Sequence, residues 1–160
     1  MSVVTRIVVS AEAHATFAHE IEMCSAYETG GILLGGYDSD GAAHVRVATG
    51  PGPGARCTRS SVDFDAQFLQ AEQDRLMHDR PQLHFLGDWH YHPRGRGKPS
   101  RKDRRVLGYL TTDPDYQLGS QAIILIVCPS MQGLRLRGYR SGNRGKAIEI
   151  PTGFADLSPM

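Results

Sequence analysis

The apolar positions of this chain fall into short blocks whose spacing alternates between that of a strand and that of a helix. Residues 5–9 are a β-branched run that predicts a strand. Ser10 and Glu12 then stand where a cap and a first-turn acid belong, ahead of an Ala, Phe and Ile pattern that predicts a helix to about Cys24. Ile32, Leu33 and Leu34 lie between two Gly pairs, a run suited to a buried strand, and residues 45–49 predict its partner. The Gly-Pro-Gly-Pro-Gly run at 50–54 is a loop. Helical spacing returns over 63–79, where Phe64, Phe68, Ala71 and Leu76 recur and Pro81 marks the end. Residues 83–92 predict a strand that runs into a loop at Pro93. Ser100 and Asp103 stand as a cap and first-turn acid, so a third helix is predicted from there to about Asp113-Pro114. Residues 121–127, 133–139 and 147–150 complete the pattern as strands.

The order is mixed, which predicts an α/β protein of the α+β type, a mixed sheet flanked by about three helices. At 160 residues the whole of 1–160 is expected to be one domain, and 40% hydrophobic with 22% charged residues is ordinary globular usage. The longest apolar stretch, 122–128, is far shorter than the roughly 20 residues a bilayer span needs, and no secretory pattern opens the chain. A cytoplasmic protein without membrane contact is therefore expected. Cys24, Cys57 and Cys128 are an odd set with no Cys-x-x-Cys spacing, which supports neither a disulfide framework nor a zinc ribbon. A net charge of +1 removes the general argument for nucleic-acid binding. The charge is uneven, however: seven basic residues fall within 94–105, opposed only by Asp103.

Chemistry concentrates in His90-Tyr91-His92-Pro93. On an extended strand, imidazoles two residues apart point to the same side and can converge on one ion. Two imidazoles with a third ligand and an open position describe a catalytic zinc site. Asp103 is the leading third ligand, because the Gly- and Pro-containing loop is long enough to swing a helix start back onto the strand end. His84 and Asp88 share the parity of His90 and are the alternatives. Taken singly, each feature has a plainer meaning: a polar strand face, a capping box in Ser100-x-x-Asp103, and an exposed helix-end carboxylate at Glu28.

Together these residues resemble the JAB/MPN metalloisopeptidases, also called the JAMM family. That motif is an upstream glutamate, then His-x-His-Pro, then Ser-x-x-Asp. Glu28 heads Glu-Thr-Gly-Gly-Ile-Leu-Leu-Gly, His90-Tyr91-His92-Pro93 supplies the histidines, and Ser100-Arg101-Lys102-Asp103 completes the set. The resemblance covers roughly residues 1–140 and is closest to the compact prokaryotic JAB branch. Tyr91 replaces the Ser or Thr usual between the histidines, and the insertions with which larger relatives bind linked ubiquitin chains have no room here.

The resemblance implies one Zn²⁺ held by His90, His92 and Asp103, with Glu28 as the proton acceptor and donor and Ser100 as a hydrogen-bond donor to the tetrahedral oxyanion. It implies cleavage after the C-terminal glycine tail of a ubiquitin-like protein, from a conjugate or a precursor. Co-encoded E1- and E2-like enzymes, as in bacterial antiphage operons, are the implied partners. Processing of a sulfur-carrier protein and a non-catalytic MPN-like scaffold are the alternatives. A zinc nucleoside deaminase is excluded, because its His-x-Glu and Pro-Cys-x-x-Cys signature is missing. The basic loop over 94–105 is expected to meet acidic surface on the substrate.

Overall fold

The computed structural model describes residues 3–24 and 26–155. Ten strands and three α-helices follow one another: β1 (Arg6–Val9), α1 (Ala11–Cys24), β2 (Thr29–Tyr37), β3 (Ala42–Ala48), β4 (Arg56–Cys57), β5 (Val62–Asp63), α2 (Ala66–Asp79), β6 (His84–Tyr91), α3 (Arg101–Thr112), β7 (Ile123–Ser130), β8 (Gly133–Ser141), β9 (Ala147–Ile150) and β10 (Thr152–Phe154). Eight strands form one mixed sheet in the order β10-β1-β3-β2-β6-β7-β8-β9, and β4 pairs with β5 alone. The pairs β1–β10, β1–β3 and β6–β7 are parallel and the others antiparallel. The α/β expectation holds. A parallel β6–β7 pair requires a crossover, and α3 supplies it.

Strand alternation sorts side chains into cores on the two faces of the sheet. One core joins Phe17 and Ala13 of α1 to Leu33, Leu86, Trp89, Ile123, Leu125 and Val127. On the opposite face Leu107 and Leu110 of α3 cover Ile124 and Ile126, while Leu69 of α2 covers Ile32, Leu34 and Leu83. Ile124 and Ile126 are fully buried, and burying a side chain of that size contributes about 1.5–3 kcal/mol.

The glycine pairs lie inside β2 rather than bounding it, so the strand runs over nine residues. Glycine is disfavoured in strands by propensity, but at Gly30, Gly31 and Gly35 the neighbouring backbone leaves no room for anything else. A Cβ on Gly31 would sit 2.0 Å from the Thr49 carbonyl oxygen. Thr49 in turn ties three strands together: its Oγ1 accepts from the Ile32 N–H at 3.1 Å, and its carbonyl accepts from Trp89 Nε1 at 2.8 Å. Trp89 is fully buried against Phe17, which fixes the rotation of β6 and turns His90 to the opposite face.

Two further differences have local causes. The second helix begins at Ala66, capped by Asp65, whose Oδ1 accepts from the Phe68 N–H at 3.1 Å, so Phe64 is left outside it. In β6, Leu33 pairs with Gly87 but Leu34 pairs with Phe85, which makes Leu86 an extra residue in a bulge. Leu86 therefore joins Trp89 in one core, and the shared parity of His84 with Asp88 and His90 is lost. The tail over 141–160 contributes β9 and the edge strand β10; residues 156–160 lie outside the described part.

Candidate metal centre

The C-terminal end of β6 carries the site. His90 pairs with Gly30 of β2, where a Cβ would meet the Trp89 carbonyl oxygen at 2.2 Å and the Phe64 ring at 3.2 Å. The missing side chain lets Phe64 lie against the imidazole, with ring centroids 5.4 Å apart and planes inclined by 26°. His92 continues the strand direction through its N–H, which donates to the Val127 carbonyl at 2.8 Å. Both imidazoles are buried.

Asp103 reaches them from the first turn of α3. Ser100 N–H donates to Asp103 Oδ2 at 2.7 Å, and Asp103 N–H donates to Ser100 Oγ at 3.1 Å, a reciprocal capping box. The box fixes the carboxylate with Oδ1 3.6 Å from His90 Nδ1 and Oδ2 3.1 Å from His92 Nε2. It also leaves the Ser100 hydroxyl proton with no acceptor among the described residues. Glu28, half-buried, stands just before β2, where its N–H donates to the Thr58 carbonyl at 2.7 Å. His92, Asp103 and Lys102 are the charged groups it faces. The structure thus gathers Glu28, His90, His92, Ser100 and Asp103 at one place. His84 is exposed, and Asp103, not His84 or Asp88, makes the close approaches to the imidazoles.

Electrostatics divide the roles. Burial pushes His90 down to about 4 against the pull of Asp103, so it is a neutral imidazole at neutral pH, the form that ligates metals. Burial lowers His92 as well, but the carboxylates of Asp103 and Glu28 outweigh it and leave the ring more basic than usual. Burial opposes ionisation of Asp103 too; His92, His90 and the Ser100 N–H overcome it and hold the carboxyl well below the usual range. Glu28 is raised, first by burial and then by Asp103, with His92 and Lys102 pulling the other way. Its proton affinity is moved toward that of a general base.

These residues suit a metal ion. His90 Nε2 and His92 Nε2 are buried, His90 Nε2 without a partner and His92 Nε2 with only the Asp103 carboxylate beside it, at 3.1 Å. Donor atoms on a tetrahedral zinc stand about 3.3 Å from each other, given bonds of about 2.0–2.1 Å, so the His92–Asp103 spacing of 3.1 Å is compatible. Among the described residues, no three His, Cys, Asp or Glu side chains stand in a finished ligating arrangement. Two imidazoles and one carboxylate are the donor chemistry of catalytic zinc sites.

Two contacts escaped the sequence. Phe64 was expected on a helix face, and only the long-range packing of β5 brings it over His90. Lys102, one of the seven basic residues, is tied to β5, with Nζ donating to the Val62 carbonyl at 3.1 Å and to Asp63 Oδ1 at 2.7 Å. The loop before α3 is held as well. Arg137 donates to the Arg96 carbonyl at 2.7 Å and the Tyr139 hydroxyl to the Gly97 carbonyl at 2.7 Å. Among the described residues no helix is long and apolar enough to cross a membrane.

Comparison with known proteins shows a likeness of fold and of sequence. A solution structure of a protein from Desulfitobacterium hafniense superposes with a TM-score of 0.70, covering 94% of this chain and 93% of that one at 18% identity, a likeness of fold. A protein of Enterobacter hormaechei subsp. hoffmannii named "CD-NTase/cGAS isopeptidase" is 31% identical over 124 residues, which are 75% of this chain and 66% of that relative. The chain thus spans just under two thirds of the relative's length. Residues 10–137 match the family described as prokaryotic homologs of the JAB domain. That match runs from the start of α1 into β8 and takes in every residue of the site, so the chain belongs to this family.

Proposed function

We propose that the chain is a zinc-dependent isopeptidase or peptidase that cleaves after the C-terminal glycine tail of a ubiquitin-like protein. The observation that carries this reading is the pair of buried His90 and His92 Nε2 atoms, which meet no protein group but the Asp103 carboxylate, with Glu28 facing the same place. Zinc bound by His90, His92 and Asp103 would supply Lewis-acid polarisation of a carbonyl and lower the pKa of water toward about 7. Glu28 takes the proton of the attacking water and passes it to the departing amine. Its half-buried setting and raised proton affinity favour that exchange near neutral pH. The Ser100 hydroxyl, which only accepts within the capping box, donates its free proton to the oxygen that becomes negative. The name of the Enterobacter relative favours a CD-NTase/cGAS-type enzyme as the conjugated target. A cytoplasmic antiphage setting with E1- and E2-like partners is the part of the reading that rests on the motif resemblance alone.

The test pairs metal content with turnover of a ubiquitin-like domain fused through Gly-Gly to a reporter. The expected result is about one zinc per chain, lost in His92→Ala, and cleavage after the second glycine. A chain that takes up no zinc on reconstitution, or that holds zinc and leaves every Gly-Gly fusion intact, overturns the reading.

A further inference from the structure

Beside the metal centre, on the same face of the sheet, a cleft of about 640 Å³ opens between α2 and α3. Its volume lies in the range of ligand pockets. Phe64, Leu69, Phe85 and Val106 give it apolar walls, and Phe64 is the ring that also covers His90, so cleft and metal centre share one wall. Asp88 lines it from β6 with 8% of its surface exposed. No hydrogen bond or ion pair within the described residues engages the Asp88 carboxylate. Such a group is costly to bury as an unpaired carboxylate, so it either holds a proton or takes a cationic partner from the cleft. Asp113 and Asp115, just after α3, line the same cleft, and no Lys, Arg or His does.

A carboxylate at the base, an apolar shaft and acidic residues toward the end of α3 match one chemistry, a long aliphatic stem with a cationic head. Resting on the peptidase reading above, we propose that this cleft binds a free Lys or Arg side chain of the polypeptide substrate and so sets specificity beside the scissile bond, with Asp88 as the charge partner. The lysine of an isopeptide bond is acylated and carries no charge, so the occupant is a different basic residue. Asp88 stands two residues along β6 from His90, about 7 Å at strand spacing, which puts that residue within a few positions of the bond cleaved.

The purified full chain is titrated with fluorescein-labelled octapeptides of Gly, Ser and Ala with one central Lys, Arg, norleucine or Nε-acetyl-lysine; none contains Gly-Gly. The Lys and Arg peptides are expected to bind at least tenfold more tightly than the uncharged pair. Asp88→Asn is expected to bring all four to the weaker level. Because that variant alters a buried group, amide shifts of the wild-type chain on adding the Lys peptide are followed by NMR, and Phe64, Asp88 and Val106 are expected to move. Equal affinity for all four peptides, a preference retained by folded Asp88→Asn, or shifts confined elsewhere overturns the proposal. Gly-Gly fusion cleavage, run in parallel, keeps the two readings apart. Cleavage without a charge preference removes the cleft alone, and a charge preference mapped to the cleft without cleavage sustains the cleft and removes the peptidase.

Discussion

At the scale of single residues, Glu28 and Ser100 separate chemistry from structure, since neither is among the proposed ligands. Glu28 spends its backbone N–H on Thr58, and its carboxylate has no hydrogen bond in the described residues. Glu28→Gln should therefore leave zinc content and melting temperature near those of the wild type while cleavage falls by about 10²–10⁴-fold, the usual worth of a positioned base. Undiminished turnover at full zinc occupancy would remove Glu28 from the mechanism. Ser100 has two duties, and two substitutions test them together. Ser100→Thr keeps both the cap and the hydroxyl donor and should keep activity. Ser100→Ala loses the cap, about 1 kcal/mol, together with the donor, whose removal elsewhere costs about 10²–10³-fold in kcat. Equal activity of the two variants would mean that turnover needs neither the cap nor the hydroxyl donor of Ser100.

At the scale of elements, packing between backbones decides more than propensity does. Gly31→Ala should unfold the chain at markedly lower temperature, because its methyl group would lie 2.0 Å from the Thr49 carbonyl and force apart β2 and the strand end that Trp89 also grips. Overpacking costs typically about 1–3 kcal/mol, and a backbone oxygen cannot swing aside as a side chain can. An unchanged melting temperature would contradict this account of the glycine pairs. The β2–β3 turn gives a prediction with a definite pH sign. Asp38 Oδ1 accepts from the Asp40 and Ala42 N–H groups at 2.9 and 3.0 Å, and Oδ2 pairs with His44 Nε2 at 2.8 Å. The His44 bond first, and then the Ala42 N–H, lower its pKa to about 2. A carboxyl depressed on folding stabilises above its unfolded value near 3.9 and loses that contribution as pH falls toward 2. Asp38→Asn should melt below the wild type at pH 6 and converge with it near pH 2; a gap that persists at pH 2 would mean that packing, not ionisation, is what the carboxylate supplies.

The same scale explains what the sequence could reveal. His90 and His92 were legible because strand alternation is a local rule, and the Ser100–Asp103 box because capping is local. The bulge at Leu86 was not legible, for it answers to the register of Gly87 and Phe85 against β2, and it removed the parity that had made His84 a candidate ligand. The β4–β5 hairpin likewise has almost no local signature. It exists because Thr58 accepts from the Glu28 N–H and Lys102 clasps β5, contacts between segments distant in the chain. Phe64 over His90 follows from it and was misread with it.

For the whole molecule, the proposed metal centre joins the outer layer to the sheet. The residues that would hold the ion come from the end of β6 and the residue after Tyr91, and from α3, the crossover that makes β6 and β7 parallel neighbours. Without an ion, two buried imidazole nitrogens meet no protein group but one carboxylate, which faces both rings. Zinc binding should therefore stabilise the native state by linkage, since the unfolded chain cannot assemble ligands from such distant positions. At free zinc about 100 times the dissociation constant the gain is about 2.7 kcal/mol. For a chain of this size that corresponds to a rise in melting temperature of roughly 5–11 °C over the chelated protein. His90→Ala and Asp103→Ala should each abolish most of the rise, whereas Glu28→Gln should retain it. The comparison is made by differential scanning calorimetry with zinc and with EDTA. A rise that survives loss of His90 or Asp103 would place the stabilising ion elsewhere on the surface; a rise lost in Glu28→Gln would make Glu28 a ligand rather than a base.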